Sequence, residues 1–231
     1  DLETVDKKLE KVKRAAKTGN KEAQLEEGLL NRIRETLLQA KSARTVVTKG
    51  YEEEELFDNF QLITSKPVLY VCNVDENSAV TGNAYVDQVR ELVKDENAEV
   101  IVLAVGTEAD ITELETFEER KMFLEDLGLQ EPGASVLIRA AYKLLKQQTY
   151  FTAGVKEVRA WTINVGSTAP QAAGVIHTDF EKGFIRAEVI AYEDFVHYGS
   201  EAKCKEAGKF KVEGKEYIVK DGDVMHFRFN V

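Results

Sequence analysis

The residues best suited to chemistry are Asn73 and Glu76, in the tetrapeptide Asn73-Val74-Asp75-Glu76 that directly follows the apolar run Val68-Leu69-Tyr70-Val71-Cys72. Ligands of open α/β sheets bind at the carboxyl ends of strands, so an amide and a carboxylate placed there can read the edge of a nucleobase. A guanine-reading loop in that place is spelled Asn-Lys-x-Asp. Its Asp accepts from the ring N–H and the exocyclic amine of guanine, and its Lys stem lies across the ring. Here those Lys and Asp positions hold Val74 and Glu76. Adenine presents an acceptor where guanine has the ring donor, and it lacks that amine. A carboxylate held against it would be buried without a partner, which is costly. Glu76 is one methylene longer and does not keep the Asp geometry. The two substitutions therefore favour adenine, read by Asn73 and nearby backbone groups. The second wall of such a site falls on Ala104-Val105-Gly106, at the end of the next apolar strand. The same four residues also fit a plain helix-capping turn behind a buried strand.

No phosphate-holding loop accompanies this element within the 231 residues. Gly208-Lys209 is followed by Phe210 and Gly214-Lys215 by Glu216, never by Ser or Thr. His177 and Asp179 could act as an acid–base pair, but their place at a helix-to-strand corner suits capping better, and no nucleophile accompanies them. Asp110, Glu113, Glu115, Glu118 and Glu119 come at mixed spacing and read as a solvated helix face rather than a metal site. Cys72 reads as a buried thiol and Cys204, in a charged stretch, as an exposed one. Two such residues make no disulfide framework and suit a reducing cytoplasm. Trp161, Phe180 and Phe184 fit either base stacking or the core of a small domain. Arg159, Lys182 and Arg186 fit either phosphate contact or ordinary surface charge.

Three segments must position these residues. Residues 1–51 carry 12 Lys+Arg against 8 Asp+Glu, residues 52–148 carry 8 against 21, and residues 149–231 carry 11 against 12. Phosphate neutralisation drives non-specific nucleic-acid binding, so any RNA contact falls to the first or third segment. In the first, Leu2, Val5, Leu9, Val12 and Ala16 recur at helical spacing, and Leu25, Leu29, Ile33 and Leu37 resume it after Thr18-Gly19-Asn20. This spacing predicts two antiparallel helices, a short coiled-coil hairpin. Lys7, Lys8, Lys11, Lys13, Arg14, Lys17 and Lys21 gather on the first helix and turn. They are either a solvated face or a phosphate-contacting arm.

In the second segment the pattern predicts a helix over 52–64 stopped by Lys66-Pro67, strands over 68–72 and 100–105, and helices near 83–96, 110–126 and 131–146. Continuous apolar strands separated by a helix indicate a parallel sheet covered on both faces, here the second half of a doubly wound α/β domain. The third segment predicts strands over 158–165 and 184–190, a helix opened by Thr168 with Pro170 in its first turn, and a polar helix over 192–208. A terminal hairpin follows, with arms Tyr217–Val219 and Val224–Val231 around the turn Lys220-Asp221-Gly222-Asp223. That order is a small ubiquitin-like β-grasp. Hydrophobic residues make up 43% and charged ones 31%, as in water-soluble domains. No apolar run reaches the length of about 18 residues that a membrane helix needs, and no secretory leader is visible. A start at Asp1 rather than Met suggests a fragment.

Several strings together resemble a known family. Tyr150-Phe151-Thr152-Ala153-Gly154, Glu157-Val158-Arg159-Ala160-Trp161, Ala169-Pro170-Gln171-Ala172-Ala173-Gly174 and Ile176–Ile185 are similar to the TGS domain of the YchF / Obg-like ATPase family. Tyr217–Asp223 and Phe227-Arg228-Phe229-Asn230 fit as well. The resemblance covers the whole chain. It implies a helical coiled-coil insertion over 1–51, the second half of a P-loop NTPase domain over 52–148 and a TGS domain over 149–231. It further implies ATP as the bound and hydrolysed nucleotide, with GTP possible but less favoured, and association with the ribosome, the large subunit and its RNA, in the cytoplasm. Asn73 and Glu76 fall on the family's altered Asn-x-x-Glu base loop, with Val74 between them as a backbone contact. Ala104 and Val105 fall on its fifth nucleotide-binding motif. Lys7, Lys11, Lys13, Arg14, Lys17, Arg159, Lys182 and Arg186 are the candidate RNA or ribosome contacts. The P-loop, switches and Mg²⁺ ligands of the family would precede Asp1, so Mg²⁺ is expected only together with that part. Phosphate and Mg²⁺ positioning supply most of the rate of phosphoryl transfer, so this chain alone is expected to be inactive. A non-catalytic RNA- or ribosome-binding module is the alternative reading.

Overall fold

The first helical stripe forms α1 (Leu2–Lys17) and α2 (Lys21–Leu38) in the computed structural model, which describes residues 1–96, 98–154 and 157–230. Gly19 turns the chain with φ 87°, and the Asn20 side chain accepts from Ala23 N–H at 3.0 Å to cap α2. The helices run antiparallel: Gln24 Nε2 donates back to the Ala16 carbonyl at one end, and Arg34 pairs with Asp6 at 2.6 Å at the other. Val5, Leu9, Leu29, Leu30 and Ile33 bury together with Ala43, Phe60 and Leu62 from the return segment. That segment contains α3 (Tyr51–Asn59), which stops before the predicted Thr64 because Gln61 takes φ 51° and residues 63–65 form a 3-10 turn. Asp1 secures this turn, its carboxylate accepting from the N–H groups of Ile63 and Thr64 at 2.9 and 2.7 Å.

Two buried or half-buried carboxylates tie the unit together. Glu53 on α3 accepts from Arg32 at 2.5 Å and from Lys49 N–H at 2.6 Å. Burial alone would raise its pKa, but the bonds from Arg32 and Lys49 outweigh that and hold it below the ordinary glutamate value. Glu96 accepts from Arg44 at 2.8 Å and from the Tyr70 hydroxyl at 3.0 Å, while Arg44 also donates to the Thr64 carbonyl at 3.2 Å.

The apolar strands become β1 (Leu69–Asn73) and β2 (Glu99–Leu103), joined through α4 (Ala84–Val93). They pair in parallel, from Leu69 opposite Glu99 to Asn73 opposite Leu103. A helix expected over 110–126 is instead two, α5 (Val105–Glu113) and α6 (Phe117–Asp126). Thr116 and Glu119 form a reciprocal capping box that starts α6 afresh. α7 (Gly133–Leu144) lays Val136, Leu137 and Ala140 against Leu69, Ile101 and Leu103. The chain divides into two compact units, Asp1–Ala140 and Ala141–Val231.

The second unit is a five-stranded mixed sheet with helices on it. Its elements are β3 (Gln147–Ala153), β4 (Val158–Asn164), α8 (Ala169–Ile176), α9 (Thr178–Lys182), β5 (Phe184–Ala191), α10 (Tyr192–Tyr198), α11 (Glu201–Glu206), β6 (Lys211–Glu213) and β7 (Asp223–Phe229), with strand order β4-β3-β7-β5-β6. β3 and β6 carry no sequence expectation. The predicted helix over 192–208 breaks at Gly199, which adopts a left-handed φ of 73°, and Ser200 caps the next helix.

The expected terminal hairpin does not form. The turn is present, with Asp223 N–H donating to the Lys220 carbonyl, but its arms do not pair. Tyr217–Val219 reaches only a single bridge, Ile218 to Thr168. β7 instead enters the middle of the sheet, parallel to β3 and antiparallel to β5. Asp221 and Gly222 direct it there by bonding Thr149 N–H and the Thr149 carbonyl, both at 2.8 Å. Burial decides the outcome: Met225 and Phe227 join Tyr150, Ile163, Phe184 and Val189 in the core under α8. Val231, the expected end of that strand, lies outside the described residues. Cys204, expected exposed, is fully buried, because α11 turns it toward Ile190 and Val224 on the other sheet face. Among the described residues no helix is long and apolar enough to cross a membrane.

Glu53 yields a test of this architecture. Its folded pKa is depressed, so its contribution is complete above the ordinary glutamate value and is lost as pH falls through the folded value. Arg32→Ala should cost about 2 kcal/mol at neutral pH and flatten the decline of stability with acid, as read by urea unfolding from neutral pH to below the carboxylate range.

Candidate functional site

Parallel pairing sets the carboxyl ends of β1 and β2 abreast, and the next hydrogen bonds weld them. Val74 N–H donates to the Leu103 carbonyl at 2.9 Å, extending the ladder by one residue. The Asn73 side-chain oxygen accepts from Val105 N–H at 3.1 Å. That commits the acceptor half of the Asn73 amide to the opposite wall and leaves its two donors on an exposed residue. Ala104 is buried beneath this junction, while Val105, the first residue of α5, is 53% exposed. Asn73, Val74, Ala104 and Val105 are thus brought together as one ledge. A Cβ added at Gly106 would meet nothing within 4 Å, so the ledge is open to solvent there.

Glu76 lies one turn along, in a 3-10 turn over Glu76–Ser78. The residue that caps this turn is Asp75, whose carboxylate accepts from Ser78 N–H at 3.0 Å. The Glu76 carbonyl accepts from Ala79 N–H at 3.1 Å, but its exposed side chain has no hydrogen-bond or ion-pair partner among the described residues. Capping therefore falls on Asp75 and leaves the Glu76 side chain uncommitted.

On the basic side, Val5, Leu9 and Ala16 face the core of the hairpin, and Lys7, Lys11 and Arg14 recur at i, i+4 and i+7 on the opposite face of α1. Lys13 and Lys17 are exposed on its flank. Lys7 also pairs with Glu3 at 2.7 Å. Lys8 leaves the group, its ammonium lying 5.2 Å from the Phe60 ring. In the second unit the candidates do not converge. Arg159 stacks over Trp161 at 4.1 Å, on the sheet face that packs under α8. Lys182 is exposed at the end of α9. Arg186 is on the opposite face, 3.6 Å from Glu188, and that carboxylate is held by a two-pronged contact from Arg228 at 3.1 and 2.9 Å. Arg228 and His226 share this face through the β5–β7 register, a neighbourhood that the hairpin expected from the sequence does not create.

The residues with alternative readings resolve into structure. His177 caps α9 by accepting Asp179 N–H on Nδ1 at 3.2 Å. Phe180 stacks on Phe229 with ring centroids 3.7 Å apart, and Phe184 is buried. Trp161 donates its indole N–H to Thr152 at 2.9 Å and packs at the rim of the core. Glu119 is spent in the α6 capping box. A contact missed altogether is that of Glu108, on α5, with the N–H groups of Gly133 and Ala134 at 2.6 and 3.0 Å.

Comparison with known proteins adds to this geometry. Residues 147–230 match the family model YchF-GTPase_C, described as a protein of unknown function, DUF933. The chain is 52% identical over its whole length to a protein named ribosome-binding ATPase YchF from Haemophilus influenzae, and 51% identical to one of the same name from Bacillus subtilis. It spans 63% of the length of each. The structure of the Schizosaccharomyces pombe YchF GTPase superposes with a TM-score of 0.84 at 32% identity, over 99% of this chain and 62% of that one.

The division of labour in the loop can be measured by denaturation. Asp75→Ala should lose about 1 kcal/mol of stability as a cap, whereas Glu76→Ala should stay within about 0.5 kcal/mol of the parent. The reverse order would assign the cap to Glu76.

Proposed function

The chain belongs to the YchF family along its whole length, and from that premise we propose that it is the base-reading and docking portion of a ribosome-associated ATPase. The observation that carries the proposal is the bond from Val105 N–H to Asn73, which makes one ledge of the two loops expected to flank a base. On this reading residues 52–148 are the second half of a doubly wound P-loop NTPase domain. Residues 1–51 are its coiled-coil insertion, and 149–231 a β-grasp TGS domain.

ATP is preferred to GTP. Asn73 directs its amide donors at the base, the backbone of Val74 and Val105 supplies neighbouring groups, and Ala104 leaves room for the ring. Exposed Glu76 is one methylene too long, and lacks the burial, to clamp a guanine. Mg²⁺ and the phosphates belong to a P-loop portion outside these residues, which hold no Gly-Lys followed by Ser or Thr. If that portion were joined, Mg²⁺ held there would supply charge neutralisation for phosphoryl transfer. The part played by this chain is to bind and orient the base. Taken alone, the 231 residues turn over no ATP. The protein works in the cytoplasm against the ribosome, its large subunit and RNA.

A second reading, that of a non-catalytic RNA- or ribosome-binding module, is favoured by the basic face of α1. Lys7, Lys11 and Arg14 form a row on the helix face opposite the buried Val5, Leu9 and Ala16.

Two experiments separate these readings. With the N-terminal portion of a relative joined to the chain, Val74→Lys with Glu76→Asp should shift the ATP-to-GTP preference about tenfold towards GTP, the value of one charged hydrogen-bond pair. No shift would place selectivity elsewhere. For docking, Lys7→Glu, Lys11→Glu and Arg14→Glu together should weaken co-sedimentation of the chain with ribosomes and flatten its salt dependence. Unchanged binding and slope would leave α1 a solvated face.

A further inference from the structure

The second wall of the proposed base site is held from behind by a contact that neither periodicity nor motif spacing exposes. Glu108 is in α5, four residues past Ala104. Its carboxylate accepts from Gly133 N–H at 2.6 Å and Ala134 N–H at 3.0 Å. These are among the first N–H groups of α7, which have no partner within their own helix, and a negative charge is favoured at that end. Gly133 allows this close approach: a Cβ there would run into the Leu103 side chain and come within 2.9 Å of the Glu108 carboxylate, so one of them would have to shift. Leu103 is the last residue of β2, and its carbonyl takes the Val74 N–H. The segment 103–108 is therefore fixed at Leu103 by Val74, at Val105 by Asn73 and at Glu108 by the start of α7.

Packing does only part of this work. Leu103 packs against Val136, Leu137 and Ala140, but beside Ala104 and Thr107 lies an open cleft of about 280 Å³, lined also by Val80 and Leu129. The Thr107 hydroxyl is buried and has no hydrogen-bond partner among the described residues. Atoms lining a cleft have fewer protein contacts on that side, so directional bonds add to what packing gives the wall.

We propose that Glu108, seated on Gly133, is a positioning residue for the wall Ala104–Val105 and thereby sets discrimination between adenine and guanine. This rests on the base-reading function proposed above. Glu108 does not touch the base. It fixes the angle at which α5 leaves β2, and with it the place of the Val105 N–H that Asn73 grips. Glu108→Gln keeps the size but turns one acceptor into a donor facing donors.

The test uses the protein with its N-terminal portion in place, and measures dissociation constants for ATP, GTP and inorganic tripolyphosphate. Glu108→Gln should lower the GTP-to-ATP ratio of dissociation constants by about threefold or more, leaving tripolyphosphate binding unchanged. Weakening of all three ligands together would make the contact merely structural and overturn the proposal. If Asn73→Ala moves the ratio and Glu108→Gln does not, the positioning role fails while base reading stands. If neither moves it, the base-reading function fails and takes the positioning role with it. Should Glu108→Gln not fold, Glu108→Asp, which keeps the charge but shortens the reach, decides on the same ratio.

Discussion

Parallel pairing of β1 with β2 is the constraint on which the first unit turns. Two strands that run the same way must be joined by a crossover, and α4 provides it. Their ends then emerge on the same edge, so loops separated by about thirty residues in sequence become neighbours. A single side chain, Asn73, can span them only because its strand ends opposite Leu103 and not a residue earlier or later. Slipping the register by one residue would turn Asn73 to the other face, since side chains alternate along a strand.

The second unit obeys a different constraint, the need to bury the alternate residues of β7. Val224, Met225 and Phe227 are apolar and buried, so β7 is covered on both faces and belongs at the centre of the sheet. The short local turn that precedes it cannot compete with that burial. Asp221 and Gly222 are thereby used to attach the strand to β3 rather than to fold it back on Tyr217–Val219.

Much of this was legible in the residues. Periodicity placed α1 and α2, the Asn20 cap, β1, β2 and the start of α8 to within a residue or two. The candidate ledge of Asn73, Val74, Ala104 and Val105 was also legible, because each lies directly at the end of an apolar run. What was not legible shares one physical cause: it depends on partners distant in sequence. β3 is half polar and meets β7 only across more than seventy residues of sequence, while β6, three residues long, is a strand only because β5 lies beside it. The burial of Cys204 follows from which side of α11 meets the sheet. The Glu108 contact joins residues 25 apart, and Glu131-Pro132-Gly133 revealed only that a helix begins there. The Thr116 to Glu119 capping signature, by contrast, was local and could have been read in advance.

Arg44 closes the account of the first unit. Its guanidinium holds Glu96 after α4 and the Thr64 carbonyl beside the helical hairpin, and Glu96 in turn holds the Tyr70 hydroxyl in β1. The guanidinium itself is largely buried, its side chain only 14% exposed. Opening the hairpin away from the strands would strip a charged network of its partners, so the two have no inexpensive way to come apart. Through Arg44 and Glu96 the hairpin's return segment is thus bonded to the strand that ends in Asn73.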